Sequence, residues 1–201
     1  MTERQEIPLF PLGAVLFNGG RLPLKIFEPR YLDLVSRCMK DGSGFGVVLI
    51  RQGSDVHKAD QAVPTIFNIG TLAKIVDFDP LAGGRLGIVC AGEGKFRIHR
   101  SWMADNHLTM AEVEFLPEET ASPVGEEFAP LVDALREIAK HPMVEKLGIV
   151  VDYEDARSVG WRLAELLPVS PEIKQGLLQM HMPRERLAEI RRLLGNLGKS
   201  G

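Results

Sequence analysis

Leu22-Pro-Leu-Lys-Ile-Phe-Glu-Pro-Arg-Tyr31 is the densest run of conformationally constrained residues in the chain, and it changes secondary structure in its middle. Arg21–Phe27 reads as a short strand. Pro29 then suits the first turn of a helix, where its missing N–H costs nothing. Tyr31, Leu34, Val35, Cys38 and Met39 recur at helical spacing, and Gly42 ends the segment. Glu28 and Arg30 flank the proline at this junction. They admit two readings, a polar anchor for a bound peptide or a local brace. In the brace, Glu28 caps the helix amides while Arg30 holds a neighbouring carbonyl or carboxylate. The brace is favoured, since it explains the spacing without a ligand. Ile26, Phe27 and Tyr31 are expected in the core, where such residues go by default.

Strand signals surround this junction. Ile7-Pro-Leu-Phe-Pro-Leu-Gly13 is too rich in proline for a helix and suits an edge strand followed by a turn. Phe45-Gly-Val-Val-Leu-Ile50 is short, apolar and β-branched, as expected of a strand buried on both faces. Residues 52–64 are polar and read as a loop. Two longer β segments follow, Thr65–Phe78 and Arg85–His99, separated by the turn-rich Asp79-Pro-Leu-Ala-Gly-Gly84. Gly92 and Gly94 predict a bulge or bend. Phe96 and Ile98 alternate with Lys95, Arg97 and His99, and Ala111, Val113 and Phe115 with Glu112 and Glu114, each giving one face in and one out. Several bent strands with a single helix predict a closed or nearly closed barrel over residues 1–118.

Pro117-Glu-Glu-Thr-Ala-Ser-Pro123 reads as a linker, and residues 119–201 beyond it are helical in pattern. Phe128, Leu131, Leu135 and Ile138 form one stripe, with Pro130 near its start. Val159, Leu163, Leu166 and Leu167 form another, stopped by Pro168. Ser170-Pro171 is an N-cap followed by proline, and Leu177, Leu178 and Met180 continue that helix. Leu187, Ile190, Leu193, Leu194 and Leu197 make the last stripe, closed by Gly198. Arg184, Arg186, Arg191 and Arg192 beside Glu185 and Glu189 read as a solvated helix face. The fold class is therefore α+β, a β barrel followed by an all-helical subdomain.

Composition narrows the function. The net charge is −3, and residues 1–118 hold 13 basic against 14 acidic side chains, so no half is a basic module for nucleic acid. The two cysteines, Cys38 and Cys90, form no paired motif and read as buried thiols in a reducing cytoplasm. No signal core and no membrane-spanning run is present in the sequence, and a cytoplasmic location is expected. Catalytic motifs fail on spacing. Gly198-Lys199-Ser200 lacks a glycine at position 193, Gly92-Glu-Gly94 has no following helix, and Gly42-Ser-Gly44 is in the wrong register for a nucleophile elbow. His57, His99, His107, His141 and His181 are scattered, so no metal site and no cofactor is expected.

With these motifs in view, the chain resembles the Lon amino-terminal domain family. The resemblance is carried by Ile7–Phe17, Leu22–Tyr31 and Phe45–Ile50, and by Gly70-Thr-Leu-Ala73, Gly84–Ile88, Phe96-Arg-Ile98 and Ala111–Glu114. Leu163–Pro168 and Lys174–Leu178 continue it. It spans about residues 5–197 in order, so chance is a poor explanation. Asn18 departs from it, standing where proline is common. The resemblance implies a barrel of the pseudouridine-synthase-and-archaeosine-transglycosylase (PUA) type. It also implies recognition of unfolded or tagged polypeptides, with Phe27, Glu28, Arg30 and Tyr31 as the motif residues for binding. A protease or chaperone is the expected recipient of clients, and a homo-oligomer is left open. In Lon proteases the ATPase and the serine–lysine protease lie in later domains, so no catalytic residue is expected here.

Two alternatives come from other classes. One is an RNA-binding module, by analogy with other PUA-type barrels, which the acidic balance disfavours. The other is a small-molecule enzyme assembled from Glu28, Arg30 and His99, residues that no motif connects.

Overall fold

The computed structural model describes residues 4–53 and 64–197, and the chain divides into two compact units, Met1–Pro117 and Glu118–Gly201. The loop expected over 52–64 lies, apart from Gln52, Gly53 and Pro64, outside the described residues, as do His57 and Gly198-Lys199-Ser200.

Seven strands build the first unit: β1 (Arg4–Leu12), β2 (Arg21–Ile26), β3 (Phe45–Gln52), β4 (Thr65–Ile66), β5 (Ile69–Leu81), β6 (Arg85–Met103) and β7 (Thr109–Phe115). The ladder order β1-β7-β6-β5-β3 returns to β1 through a parallel β1–β3 pairing, so five strands close a ring. It is a PUA-like pseudobarrel with β4 on β3 and β2 on β6. Helix α1 (Pro29–Asp41) buries Tyr31, Leu34, Val35 and Cys38, as the spacing predicts, and Gly42 closes it in the left-handed conformation at φ 71°.

Residues 7–12 of β1 and 45–49 of β3 are buried on both faces. Phe10, Leu12, Phe45 and Val47 join α1 in one apolar cluster, while Ile7, Leu9 and Val48 join Phe96, Ala111 and Val113 in a second. Phe96 fits because Gly46 and Gly70 carry no side chain; a Cβ at either would stand 2.6 Å from its Cζ. The edge-strand expectation for residues 7–12 is corrected, because β1 has two partners. It pairs with β7 over Arg4–Leu9 and with β3 over Leu9–Leu12, sharing only Leu9. Over most of its length one side therefore lacks a strand partner, the condition under which Pro8 and Pro11 are tolerated.

Three further expectations are revised by the sheet. The segment 65–78 is two strands, interrupted at Phe67 and Asn68. The turn expected at 79–84 shrinks to Ala82–Gly84, because β5 continues through Asp79 and Pro80 to Leu81, paired with β6. Lys95, expected outside, is buried, since the extra residue of a bulge at Glu93–Gly94 shifts the alternation. Two more bulges place Val76 of β5 and His99 of β6 opposite no partner.

In the second unit a single 3₁₀ turn (Glu126–Phe128) leads into α2 (Ala129–Ala139), α3 (Pro142–Glu145), α4 (Ala156–Leu166), α5 (Pro171–Gln179) and α6 (Pro183–Leu197). Ser170 caps α5 by accepting from the Ile173 amide at 3.4 Å, and Asp155 caps α4 through the Arg157 amide at 2.9 Å. Helices α4 and α6 pack together, and Val159, Leu163, Leu187 and Ile190 on them are buried. Residues 118–124 are tied to this unit: the Ser122 carbonyl accepts from Ala156 N at 2.8 Å, and Val124 N donates to the Glu154 carbonyl.

The arginine face of α6 is also revised. Arg186 is fully buried, its guanidinium carbon 3.4 Å from the centre of the Trp161 ring. It forks onto the buried Glu119 carboxylate at 2.9 and 2.5 Å and donates to the carbonyls of Leu177 and Met180. Arg184, Arg191 and Arg192 do face solvent, bonded to Glu127 and Glu189.

Candidate functional site

The motif residues at the strand-to-helix junction separate into a brace and an exposed ring. Glu28 sits at the N-cap with extended backbone, yet its side chain caps no amide. It instead accepts from Arg30 Nε at 2.9 Å, and Arg30 Nη1 donates to the His107 carbonyl at 2.8 Å. The capping role expected of Glu28 is thus corrected, while Arg30 holds a carbonyl and a carboxylate as expected. His107 has φ 60° at the turn between β6 and β7, so Arg30 fastens the start of α1 to a strained turn. The guanidinium also lies over Tyr31, whose ring stacks on Phe10 with centroids 3.8 Å apart. Tyr31 and Ile26 are buried as expected. Phe27 is not: it is 55% exposed, because strand alternation turns Ile26 inward and its neighbour outward. His99 joins neither Glu28 nor Arg30, and pairs with Glu114 at 2.9 Å.

A second feature lies where β2 and β5 flank β6. The three strands align Pro23, Val89 and Asp77 in one row and Lys25, Gly87 and Asp79 in the next. Alternation puts these rows on one face. Gly87 leaves the middle of that face without a side chain, and Leu81 leans toward the gap, 3.6 Å from where a Cβ would stand. The result is a depression of about 500 Å³ with a cation on its β2 wall and two carboxylates on its β5 wall.

Asp77 and Phe78 also border a second depression, of about 330 Å³, against the end of α1. There Met39, Val76 and Phe78 are 40%, 53% and 52% exposed. Cys38 lines this depression, but burial pushes its thiol pKa up and keeps it neutral, with Ser43 Oγ at 3.5 Å. A raised pKa disfavours the thiolate form that a nucleophile needs. Asp77 and Phe78 thus form a ridge between two open depressions. The sequence holds only a faint signal of it, the alternation of apolar and acidic residues in Val76-Asp-Phe-Asp-Pro80, because the bulge at Val76 is not written in any residue type.

Among the described residues no three His, Cys, Asp or Glu side chains stand together as metal ligands. No described helix is long and apolar enough to cross a membrane.

Comparison with known proteins agrees along nearly the whole length. Residues 6–196 match the family of the ATP-dependent protease La (LON) substrate-binding domain. The crystal structure of a Lon N-terminal domain protein from Xanthomonas campestris is 36% identical, with a TM-score of 0.76 over 94% of this chain and 98% of that one. The N-terminal domain of a Mycobacterium avium complex Lon protease shares the fold at 15% identity, with a TM-score of 0.61 over 92% of this chain and 96% of that one. The Lon protease of Flavobacterium johnsoniae is 24% identical over 94% of this chain, which spans 24% of that protein. A LON peptidase N-terminal domain and RING finger protein of Schizosaccharomyces pombe is 24% identical over 94% of this chain, which spans 45% of it. By fold and by sequence over 6–196, this chain belongs to the Lon substrate-binding domain family.

Proposed function

We propose that this chain is a non-catalytic polypeptide-binding module that engages unfolded segments and presents them to a protease or chaperone. The supporting observation is the half-exposed Phe78, with Val76 and Met39, on a ridge between two depressions. Apolar side chains held open in this way give a partner area to bury without any bond being made or broken. In this reading residues 1–118 act as a β domain that carries the contact surface, and 119–201 as a separate helical domain. Of the family-motif residues, Phe27 adds exposed contact area, while Glu28, Arg30 and Tyr31 hold the junction rigid.

Fluorescence anisotropy of a labelled, reduced and carboxymethylated protein, titrated with the chain, tests this reading. Saturable binding is expected, weakened about fivefold by Phe78→Ser, since the ring has about half its area left to bury. Absence of binding, or equal binding by the variant at unchanged melting temperature, refutes it.

A further inference from the structure

We infer that the depression walled by β2 and β5 selects extended segments in which an apolar residue is flanked by a basic one; this rests on the polypeptide-binding reading. The occupant follows from the floor and the walls. Pro23, Val89 and Leu81 give the floor apolar surface, and Gly87 opens a space at its centre for one side chain. Asp77 and Asp79 stand two residues apart on the same face of β5, so their charges repel. Among the described residues neither forms an ion pair; Asp77 accepts only from the neighbouring Phe78 amide, at 2.9 Å. Lys25 lies across Gly87, two strand spacings from Asp79, or roughly 10 Å, too far to neutralise it. A cation arriving beside an apolar side chain relieves this repulsion while the side chain fills the space over Gly87.

The segment lies on the face and does not extend the sheet. Among the described residues the outer edge of β5 has no strand partner beyond Ala73, but it is blunted by the Val76 bulge and by Pro80. The two aspartates could serve only as guards of that edge. That role predicts nothing about the charge of a bound segment, which is how the two roles are separated.

The experiment uses the full chain and three labelled ten-residue peptides with one central leucine, flanked by lysine, aspartate or serine. The lysine peptide is expected to bind about fivefold more tightly than the serine peptide at low salt, and the aspartate peptide more weakly than either. Asp77→Asn/Asp79→Asn removes the preference for lysine, and Asp77→Lys/Asp79→Lys reverses it; a melting temperature within a few degrees of the parent shows that each variant folds. Equal affinity for all three peptides overturns the selectivity, and so does a folded double-Asn variant that keeps the preference for lysine unchanged. In either case, continued binding of the unfolded protein leaves the general polypeptide-binding reading standing. If neither the peptides nor the unfolded protein binds, both readings fall.

Discussion

Both units of the chain bury apolar side chains, and they differ in what is buried most deeply among them. Inside the strand ring the deepest large side chains are Phe17, Phe45, Phe96, Leu9 and Ile88, and the sulfur of Cys90 is equally hidden. The helical unit buries Leu135, Leu163, Leu177 and Leu178 and, with them, a guanidinium, Arg186, which is held by a carboxylate, two carbonyls and an indole face. An apolar core is tolerant, since its contacts are many and individually weak. A buried ion pair is unforgiving, because either partner left alone keeps its desolvation penalty with nothing to offset it. The helical unit should therefore fail abruptly at one pair, and the ring should fail only where packing leaves no space.

The largest effect is expected at that pair. Glu119→Ala strands the Arg186 charge and should cost about 3–5 kcal/mol, whereas Glu119→Leu with Arg186→Met should recover most of it. The two tryptophans fall one in each unit, Trp102 in β6 and Trp161 in α4, so urea unfolding followed in single-tryptophan backgrounds assigns the loss. It should appear at Trp161. An equal loss in the double variant would mean that shape, and not charge, makes Arg186 indispensable.

A pair of identical substitutions sharpens the contrast. At Gly92 a Cβ would stand 2.1 Å from the Phe17 carbonyl oxygen, which is backbone and has little freedom to retreat. The Gly92 amide and carbonyl also bond the 19–20 turn, at 3.1 and 2.8 Å. Gly92→Ala should cost about 3 kcal/mol, read at Trp102. At Gly176, exposed inside α5, nothing lies within 4 Å of the added carbon. There the same change should stabilise by about 0.5–1 kcal/mol, as expected when alanine replaces glycine in a helix. Thermal melts of both variants check the opposite signs.

This contrast also explains what could be read from the sequence. The ring was legible because alternation, turn residues and proline positions are local signals, and β3, α1, β7 and the Ser170 cap stand where those signals put them. Strand closure was not local. The parallel β1–β3 pairing joins residues 9–12 to 46–49, so Pro8 and Pro11 seemed to mark an edge. Arg186 was misplaced for a related reason. Its partner Glu119 lies 67 positions away in a stretch that reads as linker, and one arginine among four on a helix carries no mark of burial. At the candidate site the spacing pointed to Arg30 holding a carbonyl or a carboxylate, but the cap it assigned to Glu28 is not made. The exposure of Phe27 and Phe78 was not legible, since an aromatic residue is assigned to the core unless a bulge or junction turns it out.

A smaller loss than at Gly92 is expected from a pH dependence, with a sign that tells the two interiors apart. Burial, with a smaller contribution from Cys38, pushes the Cys90 pKa up to about 12. In the unfolded chain a thiol ionises near about pH 8.5. Stability from the neutral thiol is therefore complete below about pH 8.5 and is lost as pH rises toward the folded value, at up to roughly 1.4 kcal/mol per pH unit. The helical unit contributes the opposite trend, since burial lowers the pKa of Lys174 and its neutral form is favoured as pH rises. Between pH 8 and 9.5 urea unfolding read at Trp102 should weaken by about 1 kcal/mol, and Cys90→Ala should remove much of that slope while leaving the slope at Trp161 unchanged. If Cys90→Ala leaves the Trp102 slope intact, the ring does not owe its alkaline sensitivity to the buried thiol. The contrast between a core that must stay neutral and one that must stay charged would then rest on Arg186 alone.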